Sequence, residues 1–381
     1  MSLQPSADAP VIVGALRTPI GTAGRSLADV DAASLAAPVL RALAATLPGL
    51  PVTDVVLGNC MGPGGNVARV AALAAGLPLD VPGLTVDRQC GAGLAAVATA
   101  SALVRETRGL VLAGGTESAS TAPWRFWPPA DGREPVRYER APFAPADIGD
   151  PDMGLAADLL AEERGVSRER QDRYAATSHV RAHATQEAGG FDAEIVPVAG
   201  VRRDDRPRPG MSAARLARLR PTFRDGGTVT AGNACGVNDG AAAVAVVDAA
   251  THGELGLPGL RMLSTATVGV DPNRPGIGIV PAVRSALDRA GLTLDDIDAV
   301  ELNEAFAGQV LACCDELGLD PERVCPDGGA LALGHPWGAS GAVLVVRLFS
   351  RLVRQDGGRH GLAAIAVGGG QGVAMVVQRC P

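Results

Sequence analysis

Two side chains with reactive potential, Cys90 and His335, each stand at the start of a stretch of small residues. Cys90 lies in LTVDRQCGAGLAAV, directly before a predicted helix, and His335 lies in GGALALGHPWGASG. The dipole at a helix start stabilises a thiolate and lowers the pKa of the thiol, and glycines at 91 and 93 would let a bulky substrate approach. This position would suit a sulfur nucleophile, but for a lone thiol the buried structural side chain is the favoured interpretation.

An internal repeat indicates how two residues so far apart in the chain could meet. Segments 35–59 and 282–305 both run helix, loop and strand, and segments 90–118 and 335–372 both run helix start, helix and glycine-ended strand. Two such βαβ halves predict an α/β fold in which each half forms a largely parallel sheet covered by helices. Equivalent helix starts would place Cys90 and His335 at one crevice, where the strands of open α/β sheets end.

The segment between the two halves differs from both in composition. Residues 119–237 are richer in proline, arginine and aromatic residues, and they include one clear helical run at 167–188. We therefore predict an inserted loop domain over 119–237, an N-terminal half formed by 1–118 together with 238–257, and a C-terminal half over 258–381. The strand-like run at 239–249 returns the chain to the first half.

Composition narrows the classes of function. The 381 residues are 47% apolar and include 49 glycines, which indicates a globular protein with closely packed helices and sheets. The net charge of −7 argues against a nucleic-acid partner, and all 34 basic residues are arginines, so guanidinium or backbone N–H groups would hold an anionic ligand. Seven irregularly spaced cysteines and scattered histidines predict reduced thiols and no metal site. Without a signal-peptide pattern or a long apolar segment, the sequence predicts a cytoplasmic protein with no membrane partner.

Four further motifs accompany the Cys90 and His335 segments. They are RTPIG at 17–21, VTAGNACGVNDGAA at 229–242, ELNEAFA at 301–307 and AVGGGQG at 366–372. In this order, and over residues 11–378, the motifs resemble those of the thiolase family of acetyl-CoA acyltransferases. The resemblance implies two duplicated halves in a layered α-β-α-β-α core, with the inserted domain binding coenzyme A. It also implies acyl-CoA thioesters as substrates, no permanently bound cofactor, and a homodimer or homotetramer.

The resemblance also implies a role for individual residues. Cys90 would be acylated, His335 would activate its thiol, and Asn303 would work with the histidine to polarise a thioester oxygen through water. Backbone N–H groups of Cys90 and Gly368 would form a second oxyanion hole. The residues implied to contact the substrate or coenzyme A are Met153, Arg208, Phe223, Ala234, Cys235, Phe306 and Ala307. Arg208 is one of eight arginines between 202 and 224. This basic stretch could bind a phosphorylated ligand, or it could equally be an ordinary solvated loop.

One position departs from the thiolase pattern. Family members carry a second cysteine before the triple glycine, where it moves the α-proton of the attacking acetyl group, and this chain has Ala366 there. Acylation of Cys90 is therefore expected, whereas formation of a carbon–carbon bond is left open. An engineered replacement would explain the alanine, and so would another proton-transfer group such as Cys235, which stands where the family commonly has serine. The acceptor carbon could instead need no base, as in the decarboxylating ketoacyl synthases, or the protein could only transfer or hydrolyse acyl groups.

Two other classes of protein compete with this interpretation. The run GAGLAA at 91–96 satisfies the G-x-G-x-x-A pattern of dinucleotide-binding oxidoreductases, with Glu117 at a later strand end as the ribose-binding acid. That short motif leaves the segments around Asn303 and His335 unexplained. A non-catalytic subunit of a larger acyltransferase is favoured by Ala366 and opposed by the presence of Cys90, Asn303 and His335.

Overall fold

The computed structural model describes residues 9–107, 109–129 and 131–381. Residues 1–8, which belong to the predicted N-terminal half and to the stretch searched for a signal peptide, lie outside these ranges. The strands are β1 (Val11–Arg17), β2 (Gly21–Thr22), β3 (Val52–Gly58), β4 (Gly83–Val86), β5 (Leu110–Ser118), β6 (Arg125–Trp127), β7 (Val136–Tyr138), β8 (Asn238–Val247), β9 (Gly259–Gly269), β10 (Ala299–Leu302), β11 (His360–Val367) and β12 (Gln371–Cys380). The helices are α1 (Ala32–Thr46), α2 (Val67–Ala74), α3 (Ala92–Thr107), α4 (Met153–Glu163), α5 (Arg168–Glu187), α6 (Ala213–Leu216), α7 (Ala249–Leu255), α8 (Ile279–Ala290), α9 (Ala307–Leu317), α10 (Ala330–Leu333) and α11 (Trp337–Phe349).

Ten of the described strands form one mixed sheet. Its order is β10-β11-β12-β9-β1-β8-β5-β3-β4, with β2 beside β8. Among the described strands, those of the two halves pair with each other only where two residues of β1 meet β9. Strand β3 runs parallel to β4 and β5, and β10 runs parallel to β11, but the remaining pairs are antiparallel. The prediction of two largely parallel sheets was therefore wrong.

The short turn between β11 and β12 explains part of that error. Gly368–Gly370 connects the two strands, with positive φ at Gly369 and Gly370, and so short a connection can join only antiparallel neighbours. Strand β8 is buried along its whole length and pairs antiparallel on both sides. An apolar run of this kind signals burial on both faces, but it carries no information about strand direction.

Helices and sheet form five layers, as the sequence predicts. Helices α3 and α11 pack against each other between the two halves of the sheet, α1 and α2 cover the outer face of the first half, and α8 and α9 cover that of the second. The central helices approach closely because small residues meet at their starts. A Cβ atom built on Gly93 would lie 2.8 Å from the carbonyl oxygen of Gly338, which is too close for any side chain. Main-chain contact therefore fixes the two helix starts relative to each other.

The helices of the inserted segment pack on the second half, whereas its residues 194–205 bond to the end of β1 in the first half. Helices α4 and α5 pack against α9, and α5 also packs against α10. Tyr174 and Ser178 of α5 donate hydrogen bonds of 2.9 and 2.7 Å to the buried carboxyl group of Glu304, directly after β10. The predicted helix at 167–188 thus exists as α5, and it holds the ELNEAFA segment in place. No described helix is both long enough and apolar enough to cross a bilayer.

Candidate active site

Cys90 occupies a tight turn between strand β4 and helix α3. Gln89 has a positive φ of 45°, and the N–H groups of Gly91 and Ala92 donate to the carbonyl groups of Arg88 and Gln89. A left-handed conformation at a residue other than glycine is uncommon and is typical of functional turns. The turn places the backbone N–H groups of Cys90 and Gly368 near the Cys90 sulfur, where both lower the pKa of the thiol.

His335 is held in one tautomer by its neighbours. Its backbone N–H donates to Asn238 Oδ1 at 2.9 Å, and its Nδ1 lies 2.6 Å from Ser340 Oγ. Ser340 Oγ also lies 3.1 Å from the carbonyl oxygen of Pro336, which can only accept a hydrogen bond. A Ser340 hydroxyl that donates to Pro336 accepts from Nδ1–H, and in this tautomer Nε2 is unprotonated and available as a base.

Asn303 approaches His335 from the same, C-terminal half of the chain. It follows β10, its backbone N–H donates to the carbonyl group of Ala364 at 2.9 Å, and its side chain is buried. Its Nδ2 lies 3.5 Å from His335 Nε2, the nitrogen that the tautomer argument leaves as an acceptor. The amide thus presents its N–H donors where the histidine presents its lone pair.

A mostly apolar pocket brings Cys90 and His335 to one surface, whereas Asn303 lines a separate, smaller cavity together with Ser340. The pocket with Cys90 and His335 measures about 590 Å³ including its open mouth. The pocket is lined by Cys90, Met153, Ala156, Ala157, Cys235, Pro275, Gly276, Ala305, Phe306, Gln309, His335, Trp337, Ala366, Val367 and Gly368. Three of these side chains can exchange a proton, namely Cys90, Cys235 and His335. Within the described ranges, no cluster of three or more His, Cys, Asp or Glu side chains is arranged to hold a metal ion.

Burial controls the protonation states in the pocket. It raises the pKa of Cys90 to about 12, against the opposing effect of the two backbone N–H groups, and it lowers the pKa of His335 to about 4. The sequence predicts a thiol pKa lowered by the helix dipole, and this prediction was wrong, because loss of hydration outweighs the nearby dipoles. At neutral pH the resting pair is a thiol beside a neutral imidazole.

Comparisons with known proteins agree over almost the whole chain. The family models "Thiolase, N-terminal domain" and "Thiolase, C-terminal domain" match residues 10–250 and 258–379. The chain belongs to the thiolase family. It is 44% identical to an acetyl-CoA acetyltransferase of Pseudomonas aeruginosa, covering 97% of this chain and 99% of the relative. It is 45% identical to a β-ketoadipyl-CoA thiolase of the same organism, covering 97% and 98%. The crystal structure of the Bacillus anthracis acetyl-CoA acetyltransferase superposes with a TM-score of 0.90 at 36% identity, covering 99% of this chain and 100% of that one.

The thiolase fold excludes the rival dinucleotide site. The carboxyl group of Glu117 is fully buried and accepts hydrogen bonds from the backbone N–H groups of Cys60, Met61 and Gly338 at 3.0–3.1 Å. The side-chain amide of Asn59 donates a fourth, at 3.0 Å. A carboxyl group so occupied cannot bind a ribose. Its contacts instead tie the loop after β3 to the start of α11, beside His335.

Several predicted contact residues of this thiolase are not part of the pocket lining. Ala234 forms a bridge with Phe306, and the N–H of Ala307 donates to the carbonyl group of Asn233 at 2.9 Å, so both act through the backbone. Phe223 packs edge-on against the Phe306 ring with centroids 6.3 Å apart. Met153, Cys235 and Phe306 themselves line the pocket, as does Ala366.

Arg208 lies in a neighbouring cavity of about 970 Å³ including its open mouth. This second cavity, here called the arginine cavity, is lined by His179, Arg206, Arg208, Pro209, Met211, Arg215, Leu216, Leu219, Ala231 and Gly232. Three of the eight arginines in the basic stretch therefore face one space. Others have surface partners, since Arg203 pairs with Glu187 and Arg224 pairs with Glu162.

Sequence reasoning overlooked the residues that support the base. Ser340 and Asn238, which fix the tautomer and the backbone of His335, stand inside segments that the motif comparison already included. A serine five residues after the histidine, across a helix start, was the available signal. Gln309, Pro275 and Gly276 also line the pocket, and nothing in their local sequence indicates this.

Proposed function

We propose that this thiolase-family acyltransferase takes its acyl group from an acyl-CoA thioester onto Cys90 and passes it to coenzyme A or to a carbon nucleophile. The observation that carries the proposal is the meeting of a partly buried thiol, a histidine nitrogen and two convergent backbone N–H groups at one apolar pocket. Similarity to relatives named as acyl-CoA enzymes supports the substrate class. No permanently bound cofactor is needed for this chemistry, because the thioester itself is the activated group.

Acylation follows from the geometry around the sulfur. His335 Nε2 accepts the thiol proton while Cys90 attacks the thioester carbonyl carbon. The N–H groups of Cys90 and Gly368 that face the sulfur would then face the oxygen that becomes negatively charged on the attached carbon. Asn303 and His335 remain beside each other to polarise the oxygen of a second thioester. Ser340 retains the proton on Nδ1 throughout, so the proton taken from the thiol is carried on Nε2.

The arginine cavity provides a site for the phosphorylated end of coenzyme A. Ala231 and Gly232 line this cavity and Cys235 lines the Cys90 pocket, so residues 231–235 connect the two. A ligand that binds along this segment has to be long, anionic at one end and reactive at the other. Arginines suit the anionic end because the guanidinium group forms charge-assisted hydrogen bonds with phosphate oxygens.

Mass spectrometry of the intact protein tests this proposal. After brief incubation with acetyl-CoA and a panel of longer acyl-CoA thioesters, the wild-type protein should gain one acyl mass, mapped to Cys90 by peptide analysis. Cys90→Ala should gain none and should retain the thermal stability of the wild type. An adduct mainly on Cys313, Cys314 or Cys325, all buried far from solvent, would contradict the assignment. No adduct with any acyl-CoA would instead favour a non-catalytic subunit.

A homodimer or homotetramer remains part of the proposal. Strand β4 forms one end of the sheet, and the β6–β7 hairpin exposes Trp124, Phe126 and Trp127. An unpaired sheet edge and exposed aromatic residues both suit contact with another subunit. Light scattering of the purified protein distinguishes monomer, dimer and tetramer.

A further inference from the structure

Cys235 lies on a wall of the pocket that both catalytic motifs hold in position. Its backbone N–H donates to the carbonyl group of Ala305 at 2.9 Å. Its neighbours Ala234 and Val237 form bridges with Phe306 and His335. The thiol therefore stands on a short segment that is paired on one side with the ELNEAFA motif and on the other with the base.

The two pocket thiols are close enough to influence each other. Cys235 is the strongest electrostatic neighbour of Cys90, where its charge opposes formation of the Cys90 thiolate. Burial raises the pKa of Cys235 to about 12, and the positive charge of Arg206 opposes that rise. The Arg206 side chain lies against Gly236, and its Nε has no hydrogen-bond partner among the described residues. A largely buried cation is thus held beside this thiol.

One titratable side chain of the pocket, Cys235, takes no part in the attack on the thioester. Acyl transfer to a carbon nucleophile needs a nucleophile, a base for that nucleophile, and a group that removes a proton from the attacking carbon. Cys90 and His335 fill the first two roles. Ala366 lines the pocket but cannot exchange a proton, and Cys235 is the one remaining titratable side chain of the described lining.

We propose that Cys235 is the acid and base that moves the proton of the carbon nucleophile in this enzyme. The inference rests on the proposed function, because it assumes an acyl group on Cys90. It assigns to the 229–242 segment the proton transfer that Ala366 cannot perform. The wild-type protein is then a carbon–carbon bond-forming enzyme with its second catalytic thiol on a different wall of the pocket.

The protons balance through one complete cycle. As Cys90 attacks the acyl-CoA, its proton passes to His335, the bond from the acyl carbon to the coenzyme A sulfur breaks, and Cys235 gives its proton to that sulfur. The Cys235 thiolate, beside Arg206, then removes a proton from the methyl carbon of acetyl-CoA. That carbon bonds to the acyl carbon, the bond to the Cys90 sulfur breaks, and Cys90 recovers its proton from His335. All three groups return to their starting states without an oxidant or reductant.

Separate measurement of acylation and condensation tests the assignment. Cys235→Ser keeps the side-chain size but removes the thiol, and Cys380→Ser is a matched control at a buried cysteine at the end of β12. Cys235→Ser should lower acetoacetyl-CoA formation and deuterium uptake from solvent into acetyl-CoA by about 10²- to 10⁴-fold. Acylation of Cys90 should change by less than about tenfold, since the thiolate of coenzyme A is a good leaving group. Cys380→Ser should leave both rates unchanged.

A second variant guards against loss of folding. Ala366→Cys added to Cys235→Ser returns a thiol to the same pocket and should recover condensation by at least about tenfold. Three results would overturn the assignment: unchanged condensation in Cys235→Ser, an equal loss of acylation and condensation, or a wild-type protein that is acylated but forms no carbon–carbon bond. Failure of Cys90 to become acylated would instead refute the proposed function.

Discussion

Replacing His335 with alanine should convert a pH-independent acylation into a strongly pH-dependent one. In the wild type the pKa of the thiol is raised to about 12 and that of the imidazole is lowered to about 4, so neither group changes its resting state between pH 7 and 10. The rate of Cys90 acylation should therefore be flat across this range. In His335→Ala no base remains beside the sulfur, and attack depends on the small fraction of thiol that has already lost its proton.

The magnitude follows from that fraction. With a thiol pKa of about 12, roughly one molecule in 10⁴ carries the thiolate at pH 8, and roughly one in 10² at pH 10. We expect His335→Ala to acylate Cys90 about 10⁴-fold more slowly than the wild type at pH 8 and about 10²-fold more slowly at pH 10, which brackets the usual contribution of a general base. The logarithm of the variant's rate should rise with a slope of one per pH unit.

Rapid quench followed by intact mass measurement gives the single-turnover rate at each pH. His360→Ala is the matched control, because that histidine lies at the start of β11, outside the pocket, with its Nδ1 3.0 Å from the carbonyl oxygen of Asp296. It should acylate at the wild-type rate. A flat pH profile in His335→Ala, or a loss of less than about tenfold at pH 8, would show that the histidine only packs against the pocket.

Three further substitutions separate catalysis, orientation and binding. Asn303→Ala should slow condensation by about 10²-fold or more, and the melting temperature should be measured to detect any loss of packing. A normal rate in folded protein would show that Asn303 is not part of the oxyanion hole. Ser340→Ala should slow acylation by about tenfold, because the neutral imidazole of His335 would then populate both of its tautomers. Histidine NMR chemical shifts should show the two tautomers. A variant that keeps only the Nδ1–H tautomer would show that Ser340 does not select it. Arg208→Ala should raise the KM for acyl-CoA by about tenfold with little change in kcat, whereas Arg203→Ala should change neither. Equal KM values in these two variants would place the phosphates elsewhere.

The sequence predicted much of the fold because local patterns survive in the finished structure. The duplicated helix–strand order at 35–59 and 282–305 corresponds to α1–β3 and α8–β10, and the helical run at 167–188 corresponds to α5. Strand direction was mispredicted because apolar strands such as β8 show burial alone. The packing of the insert on the second half depends on Tyr174 and Ser178 reaching Glu304, a contact across more than a hundred positions of chain.

The sequence predicted which residues meet at the candidate site, but it did not predict their pKa values. Cys90 and His335 could be paired from the repeat, because equivalent helix starts converge. The direction of the thiol pKa shift could not be predicted, since it depends on how completely the finished pocket excludes water. The separation of Arg208 from the pocket is likewise a tertiary property, because 208 and 235 are close in sequence but face different cavities.

The main-chain contact between Gly93 and Gly338 has a consequence for how such an enzyme can diverge. Because backbone meets backbone at the crossing of α3 and α11, the separation of the nucleophile from its base is a property of the scaffold and cannot be adjusted by exchanging side chains. A change in the reaction would then come from placing a reactive side chain at a different position of the pocket wall. Positions 235 and 366 are two such positions on one invariant frame. A proton-transfer thiol could migrate from one to the other through a doubly equipped ancestor without any interval of inactivity.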